Sequence, residues 1–352
     1  MVKIPHSRPF LGWEEKKVCA EVIDTLYLAG GPRVEAFEAA FAQSAGRKYA
    51  VAVSSGTAAL AMALKVLVPR QGRNVVIPSY TCAALLHALD YAGQKPLITD
   101  IDAADMNMSA ADLKKRLKKN TAAVIVPHLF GRAADMKAFE RVGLPLIEDG
   151  TQALGARADG QRVGSFGELS IFSFYATKMI TSGEGGMIVT DSSKTAETLR
   201  DMRDYDKKDD YRFRMNFKMS DLQAAIGLCQ LKKLSTFVQK RIRIAELYDR
   251  PFAARFIGLP AADTERDSVY FRYVLRVPGG ANPLIKSLNK KGIEAKSPIF
   301  KPLHEYLGLP AADYPETVRA MREACSLPIF PAMTTIDVRS VINAVLDFAK
   351  GV

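Results

Sequence analysis

The sequence predicts an α/β protein with a mostly parallel sheet covered by helices on both faces, followed by a smaller C-terminal α/β domain. Between residues 49 and 190, short apolar runs rich in β-branched residues alternate with segments of helical spacing. After Ser220 this alternation gives way to a long helical segment and then to shorter elements. A chain of 352 residues suits two domains, which we place at residues 1–235 and 236–352.

The elements follow in order along the chain. Residues 12–64 are mostly helical, interrupted by a loop at 30–32 and by a strand at 49–53, after which the polar turn 54–57 leads into a helix at 58–67. The further strands of the large domain are predicted at 75–78, 96–100, 122–127, 144–149, 169–174 and 186–190. The helices between them are predicted at 82–92, at 109–118 with Ser109 as its N-cap, and at 136–142. Finally, we predict one long helix or two in line at 221–248, a strand within 268–277, and helices near 283–291 and 336–348.

The composition excludes several classes of protein. No apolar run reaches the roughly 18 to 20 residues that a bilayer-spanning helix needs, and the N-terminus lacks the apolar core of a signal peptide. The four cysteines lie far apart, which favours free thiols in a reducing cytoplasm over disulfides or a metal site. The net charge of +11 is scattered along the chain, so it fits an anionic cofactor and substrate better than nucleic acid. We therefore expect a cytoplasmic protein that needs no metal, nucleic acid or membrane.

Four reactive positions fall near the ends of predicted strands or before helices, where open α/β sheets bind ligands. Gly56 and Thr57 open a helix and form a phosphate site or an ordinary helix cap. Asp149 ends a buried strand and either pairs with a cation or caps the next turn. Lys178 follows an aromatic strand, where burial would favour the neutral amine of a Schiff-base lysine over a surface role. Asn216 precedes the long helix and either caps it or contacts a ligand.

Taken together, these segments resemble the DegT/DnrJ/EryC1/StrS family of sugar aminotransferases. The resemblance covers nearly the whole chain and is strongest in VAVSSGTAALAMAL (51–64), IEDGTQALGA (147–156), FSFYATKMITSGEGG (172–186) and NFKMSDLQAAIG (216–227). It implies a fold-type I pyridoxal-phosphate transferase with a seven-stranded, mostly parallel mixed sheet. It also implies a homodimer with shared active sites.

The resemblance assigns a role to each matching residue. Lys178 is expected to form the Schiff base, Asp149 to hold the pyridine nitrogen and Gln152 to contact the ring hydroxyl. The other residues expected at the cofactor phosphate are Gly56, Thr57 and Ser173, with Asn216 reaching the phosphate of the neighbouring subunit. His128 and His304 lie in segments where substrate is expected.

The sequence departs from the family pattern at three positions. An aromatic ring that usually stacks on the cofactor is replaced by Cys82, so either Tyr80 takes over the stacking or the ring lies against sulfur. Lys218 stands where arginine is common. The lysine ammonium carries a localised charge and does not replace the planar guanidinium of arginine in binding an anionic group. Phe300 stands where tyrosine is frequent, which removes a hydroxyl from the expected sugar pocket.

By this resemblance, the chain transfers an amino group from an amino acid, glutamate by family analogy, to a keto-sugar that is often nucleotide-linked. The cofactor would alternate between pyridoxal and pyridoxamine phosphate. Two alternatives stay open at this point, namely amination of a keto-cyclitol or other cyclic ketone, and a regulatory protein that binds the cofactor without turnover.

Overall fold

The computed structural model describes residues 3–253, 256–258 and 265–350 of the chain. The helices are α1 Trp13–Asp24, α2 Pro32–Ala45, α3 Gly56–Leu67, α4 Ala84–Ala92, α5 Ala110–Arg116, α6 Met136–Glu140, α7 Ser193–Met202, α8 Asp221–Lys232, α9 Leu234–Phe252, α10 Asn282–Lys290, α11 Leu303–Tyr306, α12 Pro315–Glu323 and α13 Thr335–Lys350. The strands are β1 Tyr49–Val53, β2 Asn74–Pro78, β3 Lys95–Thr99, β4 Thr121–Pro127, β5 Leu146–Asp149, β6 Arg157–Ala158, β7 Gln161–Arg162, β8 Leu169–Ser173, β9 Gly186–Thr190, β10 Ile257–Gly258, β11 Tyr273–Arg276 and β12 Ala324–Leu327.

The large sheet has seven strands in the order β1-β9-β8-β5-β4-β2-β3. Strand β9 runs antiparallel to its neighbours β1 and β8, whereas the pairs β2–β3, β2–β4, β4–β5 and β5–β8 are parallel. This arrangement confirms the predicted mostly parallel mixed sheet. The carboxyl ends of β5 and β8 therefore meet at one edge, which brings the segments after Asp149 and Ser173 together.

Each face of the large sheet carries its own apolar core, because side chains alternate along a strand. In β1, Ala50 and Ala52 pack into the core that holds Phe37 and Phe41 of α2. Val51 of the same strand packs into the other core, beneath α3. Burial on both faces explains why this strand is an unbroken apolar run rather than an alternating pattern.

A second antiparallel sheet, in the order β10-β11-β12, packs with α9, α10 and α13 around a separate core. Ile4 from the start of the chain joins this core and bridges to Ile293. The division that we predicted at residue 235 falls at the beginning of α9 and stays a prediction.

Most predicted elements lie within two residues of the observed ones, but some differ. Of the two possibilities predicted for 221–248, one helix or two, the structure has two successive helices with Lys233 between them. The expected strand 268–277 is reduced to β11, since Val269 and Phe271 pack into the core of the large sheet instead. Leu26, within the segment 12–64 that we expected to be mostly helical, lies beyond α1 with a positive φ of 58° and is exposed. Helices α7 and α12 and strand β12 were not predicted.

Cys19, Cys82, Cys229 and Cys325 are free thiols, as expected. Across residues 3–253, 256–258 and 265–350, no helix combines the length and apolar character needed to cross a membrane.

Candidate active site

The start of α3 forms a cradle with the end of β8. Ser55 caps the helix by accepting a hydrogen bond from the Ala58 N–H at 3.1 Å, so Gly56 and Thr57 form the first turn. A Cβ atom on Gly56 would lie 2.7 Å from Ser173 Cβ, which is too close for any side chain. A Cβ on Gly186 would collide with the Ser55 carbonyl oxygen. Glycine at 56 and 186 therefore keeps an N-terminal helical turn, with its free N–H groups, directly beside the Ser173 hydroxyl.

Lys178 lies in the turn that follows β8, where its N–H donates to the Tyr175 carbonyl at 2.9 Å. Its ammonium nitrogen is 5.3 Å from the centroid of the Phe271 ring. Burial lowers the pKa of this amine; Cys82 and Asp149 oppose the shift, and the positive charge of Arg272 adds to it. The structure thus brings Lys178 and Asp149 into one electrostatic environment and favours the neutral, nucleophilic amine.

Asp149 ends β5 and is buried. One carboxylate oxygen accepts a hydrogen bond from the Thr151 N–H at 3.0 Å, so the turn-capping role considered from the sequence is present. The same carboxylate also acts on the pKa of Lys178, which it raises against the effect of burial. Capping the turn fixes the carboxylate at the strand end, within electrostatic reach of the amine.

Gln152 is held by the loop that follows β4. Its Oε1 accepts a hydrogen bond from the Phe130 N–H at 2.9 Å. Because the amide oxygen is engaged as an acceptor, the side chain presents its NH₂ group as the donor, which suits contact with a ring oxygen.

Tyr80 and Cys82, the two alternatives for contact with the cofactor ring, have different surroundings. Tyr80 has no exposed surface, packs edge-on against Phe130 with centroids 6.1 Å apart, and lies in an interior cluster. Cys82 is exposed and influences the pKa of Lys178, and both residues influence the pKa of Arg272. Burial disfavours stacking by Tyr80, and the choice between the two residues stays a prediction.

His128 is fully buried, and both of its ring nitrogens are bonded within the chain. Nδ1 accepts from the Ala134 N–H at 2.9 Å, and Nε2 lies 2.8 Å from Glu148 Oε1. The sequence placed this residue near the substrate, but no ring nitrogen is left for that contact. The physical role of His128 is to join the loop after β4 to the buried Glu148.

Lys218 and Asn216, which were expected to contact anionic groups, lie in the segment between α7 and α8. The Lys218 ammonium pairs with Asp204 at 2.6 Å and Asp206 at 2.9 Å, and the hydrogen bond to Asp204 is the main cause of its raised pKa. These carboxylates satisfy the charge that was expected to grip a substrate. Asn216 is exposed, and the neighbouring Phe217 carbonyl accepts from the Ser54 N–H at 2.8 Å, just before the cradle.

The two expected substrate residues near position 300 have opposite environments. Phe300 is 91% exposed. His304 is buried, with Nδ1 2.6 Å from Ser79 Oγ and its ring stacked on Tyr314 at 4.7 Å. Burial lowers the pKa of His304, so the ring is neutral, and Nε2 is buried without a partner among the described residues.

Arg272 is a site residue that the sequence analysis missed. It precedes β11, lies over the Phe271 ring with Cζ 5.5 Å from the centroid, and influences the pKa of Lys178. A basic residue inside the apolar run VYFRYVLRV (269–277) was the available signal. It was overlooked because this segment was assigned only to the small domain.

The residues brought together fit pyridoxal phosphate. The cradle of Gly56, Thr57 and Ser173 suits a phosphate, the Asp149 carboxylate suits a protonated ring nitrogen, and the Lys178 amine suits an aldehyde.

Comparison with known proteins supports this reading. The family model for DegT/DnrJ/EryC1/StrS aminotransferases matches residues 10–346. The chain belongs to this family. It is 33% identical to the spore coat polysaccharide biosynthesis protein SpsC of Bacillus subtilis, over 99% of this chain and 97% of that protein. It is 32% identical to the GDP-perosamine synthase of Caulobacter vibrioides, over 97% of both chains.

Solved structures with the same fold match the chain over nearly its whole length. The crystal structure of S. venezuelae DesV is 31% identical with a TM-score of 0.91, covering 99% of this chain and 100% of that one. Helicobacter pylori PseC, an aminotransferase involved in pseudoaminic acid biosynthesis, is 26% identical with a TM-score of 0.92 and the same coverage. As a DegT/DnrJ/EryC1/StrS protein with this site, the chain is a pyridoxal-phosphate-dependent transaminase.

Proposed function

We propose that this transaminase moves an amino group from glutamate to a keto-sugar, nucleotide-linked, in amino-sugar biosynthesis. The observation that carries the proposal is the Lys178 amine, whose pKa is lowered by burial and which feels the Asp149 carboxylate, together with the anion cradle at the start of α3. The relatives named for perosamine and pseudoaminic acid biosynthesis support a sugar as acceptor.

Each residue of the candidate active site has a separate role in this reaction. When bound, pyridoxal phosphate supplies an electron-withdrawing ring that stabilises negative charge on the carbon losing or gaining the amine. The Lys178 Nζ anchors the cofactor covalently and, once released, moves a proton to and from that carbon. Asp149 holds a proton on the ring nitrogen, and the first turn of α3 fixes the phosphate. The Gln152 amide, oriented by Phe130, donates to the ring oxygen.

The proposal includes a homodimer in the cytoplasm, without a nucleic-acid or membrane partner. Asn216 is exposed on the segment 203–220, which contains no helix or strand and also exposes Tyr205, Tyr211 and Phe213. A segment that exposes three aromatic rings among its charged residues fits a surface covered by a second copy. Asn216 would then reach the cofactor phosphate of that copy.

The anchor is tested with purified protein loaded with pyridoxal phosphate and treated with borohydride. Lys178→Ala should lose the trapped adduct and the visible absorbance. The control, Lys137→Ala, removes an exposed lysine paired with Asp159 and should keep both signals. If the adduct survives in Lys178→Ala, another lysine binds the cofactor covalently.

The substrates are tested separately. Glutamate should convert the cofactor to its amine form, and that form should react with nucleotide-linked 3-keto or 4-keto sugars. If the amine form reacts faster with free keto-cyclitols than with these sugars, the acceptor is a keto-cyclitol and not the keto-sugar that we propose. A loaded protein that no amino acid converts would favour the regulatory alternative.

A further inference from the structure

We propose that Arg272 binds the α-carboxylate of the amino donor, an inference that rests on the proposed amino-acid half of the reaction.

Arg272 is fixed to the same loop that orients Gln152. Its backbone N–H donates to the Phe130 carbonyl at 3.1 Å, and the N–H of Phe130 donates to Gln152 Oε1 at 2.9 Å. Gly131 permits this close packing, because a Cβ there would lie 2.5 Å from the Phe271 nitrogen. The backbone of Arg272 is therefore tied to a residue that is expected to contact the cofactor ring.

The Arg272 guanidinium shares its surroundings with the Lys178 amine. Its Cζ lies 5.5 Å from the centroid of the Phe271 ring, and Lys178 Nζ lies 5.3 Å from the same centroid. Its charge contributes to the lowered pKa of Lys178. The guanidinium and the amine thus lie near the same aromatic ring, at the lysine where the amino group must be exchanged.

The guanidinium has no anionic partner in the described part of the chain. The NH1 nitrogen is buried without a hydrogen-bond acceptor among those residues. Burial lowers the pKa of Arg272, and the groups that oppose this shift are Tyr80 and Cys82, which are ordinarily neutral at pH 7. A buried cation without a counter-ion is costly, and the cost is offset when an anionic ligand binds.

The chemistry of the donor identifies that ligand as a carboxylate. The α-carboxylate of an amino acid is one bond from the carbon that carries the amine, so a cation close to Lys178 can reach it. The phosphates of a nucleotide-linked sugar join at the anomeric carbon, which need not adjoin the keto group. A planar guanidinium also matches the two oxygens of a carboxylate.

The test compares Arg272→Gln and Arg272→Lys with a matched control, Arg276→Gln. Arg276 is a buried arginine four residues further along, which donates to the Ala103 carbonyl and has Glu316 and Glu323 nearby. Binding of glutarate, which has carboxylates but no amine, is measured by calorimetry on the cofactor-loaded protein. Thermal unfolding and the borohydride-trapped lysine adduct establish that each variant is folded and loaded.

We expect Arg272→Gln to weaken glutarate binding by on the order of 100-fold, the loss typical of a buried charge pair. Arg272→Lys should lose less, and Arg276→Gln should bind as the wild type does. Rates of cofactor conversion by glutamate and glutamine should fall by the same factor in Arg272→Gln, because both amino acids carry the α-carboxylate.

Unchanged glutarate binding in a folded, loaded Arg272→Gln protein would overturn the proposal. The proposal would also be overturned if Arg272→Gln lost binding of UDP, used as a nucleoside diphosphate probe, but kept glutarate binding. Arg272 would then bind the acceptor substrate and not the amino donor. Glutarate binding involves no turnover, so a wild-type protein that fails to transaminate would count against the proposed function and not against this assignment.

Discussion

Replacing Glu148 with glutamine tests how the strand end that carries Asp149 is held. Glu148 is fully buried, and four donors converge on its two oxygens. Oε1 accepts from the Gly164 N–H at 2.8 Å and lies 2.8 Å from His128 Nε2. Oε2 accepts from the Phe166 N–H at 3.0 Å and the Ser170 hydroxyl at 2.7 Å.

The expected loss follows from this geometry. A glutamine amide keeps one oxygen, so in either orientation its NH₂ group faces two of the four donors. The Ser170 hydroxyl can turn to accept, but a buried backbone N–H stays unpaired, which costs about 1–3 kcal/mol. The remaining bonds also lose their charge assistance, so we expect Glu148→Gln to lower the free energy of unfolding by about 2–4 kcal/mol.

The assay is urea unfolding of the cofactor-free protein, with the slope of the transition checked for constancy. Glu168→Gln is the control, because Glu168 is exposed and its Oε2 accepts a single backbone hydrogen bond, from Leu146. That variant should lose about 1 kcal/mol or less. The reasoning is refuted if Glu148→Gln is as stable as the wild type, or if both variants lose the same amount.

Three further predictions concern the cofactor site. Gly56→Ala should weaken binding of pyridoxal phosphate in a fluorescence titration by about tenfold or more, because its Cβ forces the cradle open against Ser173; unaltered affinity would contradict the cradle. Tyr80→Phe should leave the cofactor absorbance unchanged and the unfolding midpoint equal or higher, since the buried hydroxyl has no partner in the described chain. A changed absorbance spectrum would indicate that Tyr80 contacts the cofactor. The rate of cofactor attachment to the apoprotein should rise with pH and reach half its maximum below the ordinary lysine pKa, because only the neutral Lys178 amine reacts. Arg272→Gln removes a positive charge and should move that midpoint to higher pH. A wild-type midpoint at the ordinary lysine pKa would contradict the lowered pKa of Lys178.

Local sequence patterns predict the large sheet well because each strand is a short apolar run bounded by turn residues. The strand Tyr49–Val53 and the Ser109 cap are found as expected, since both depend on neighbouring residues alone. The 268–277 segment is less well predicted because its apolar residues serve two cores, Phe271 in the core of the large sheet and Tyr273 in the second core. Apolar character marks burial but does not identify the partner.

The same limit applies to the site. Glu148 and Asp149 are adjacent carboxylates in a buried strand, and their sequence gives no reason to separate them. Alternation along β5 turns them to opposite faces of the sheet, so Glu148 meets His128, whereas Asp149 accepts from the Thr151 N–H and acts on the pKa of Lys178.

The sequence by itself predicted most strands and helices of the large domain from local periodicity and, through its resemblance, the family and the expected roles of positions 56, 149 and 178. Only the tertiary structure showed that Tyr80 is buried whereas Cys82 is exposed, that His128 is bonded on both ring nitrogens, and that Arg272 and Lys178 lie near the same Phe271 ring. The physical reason is that these outcomes depend on contacts between residues far apart in the chain. Such contacts are set by how sheet, helices and loops pack together.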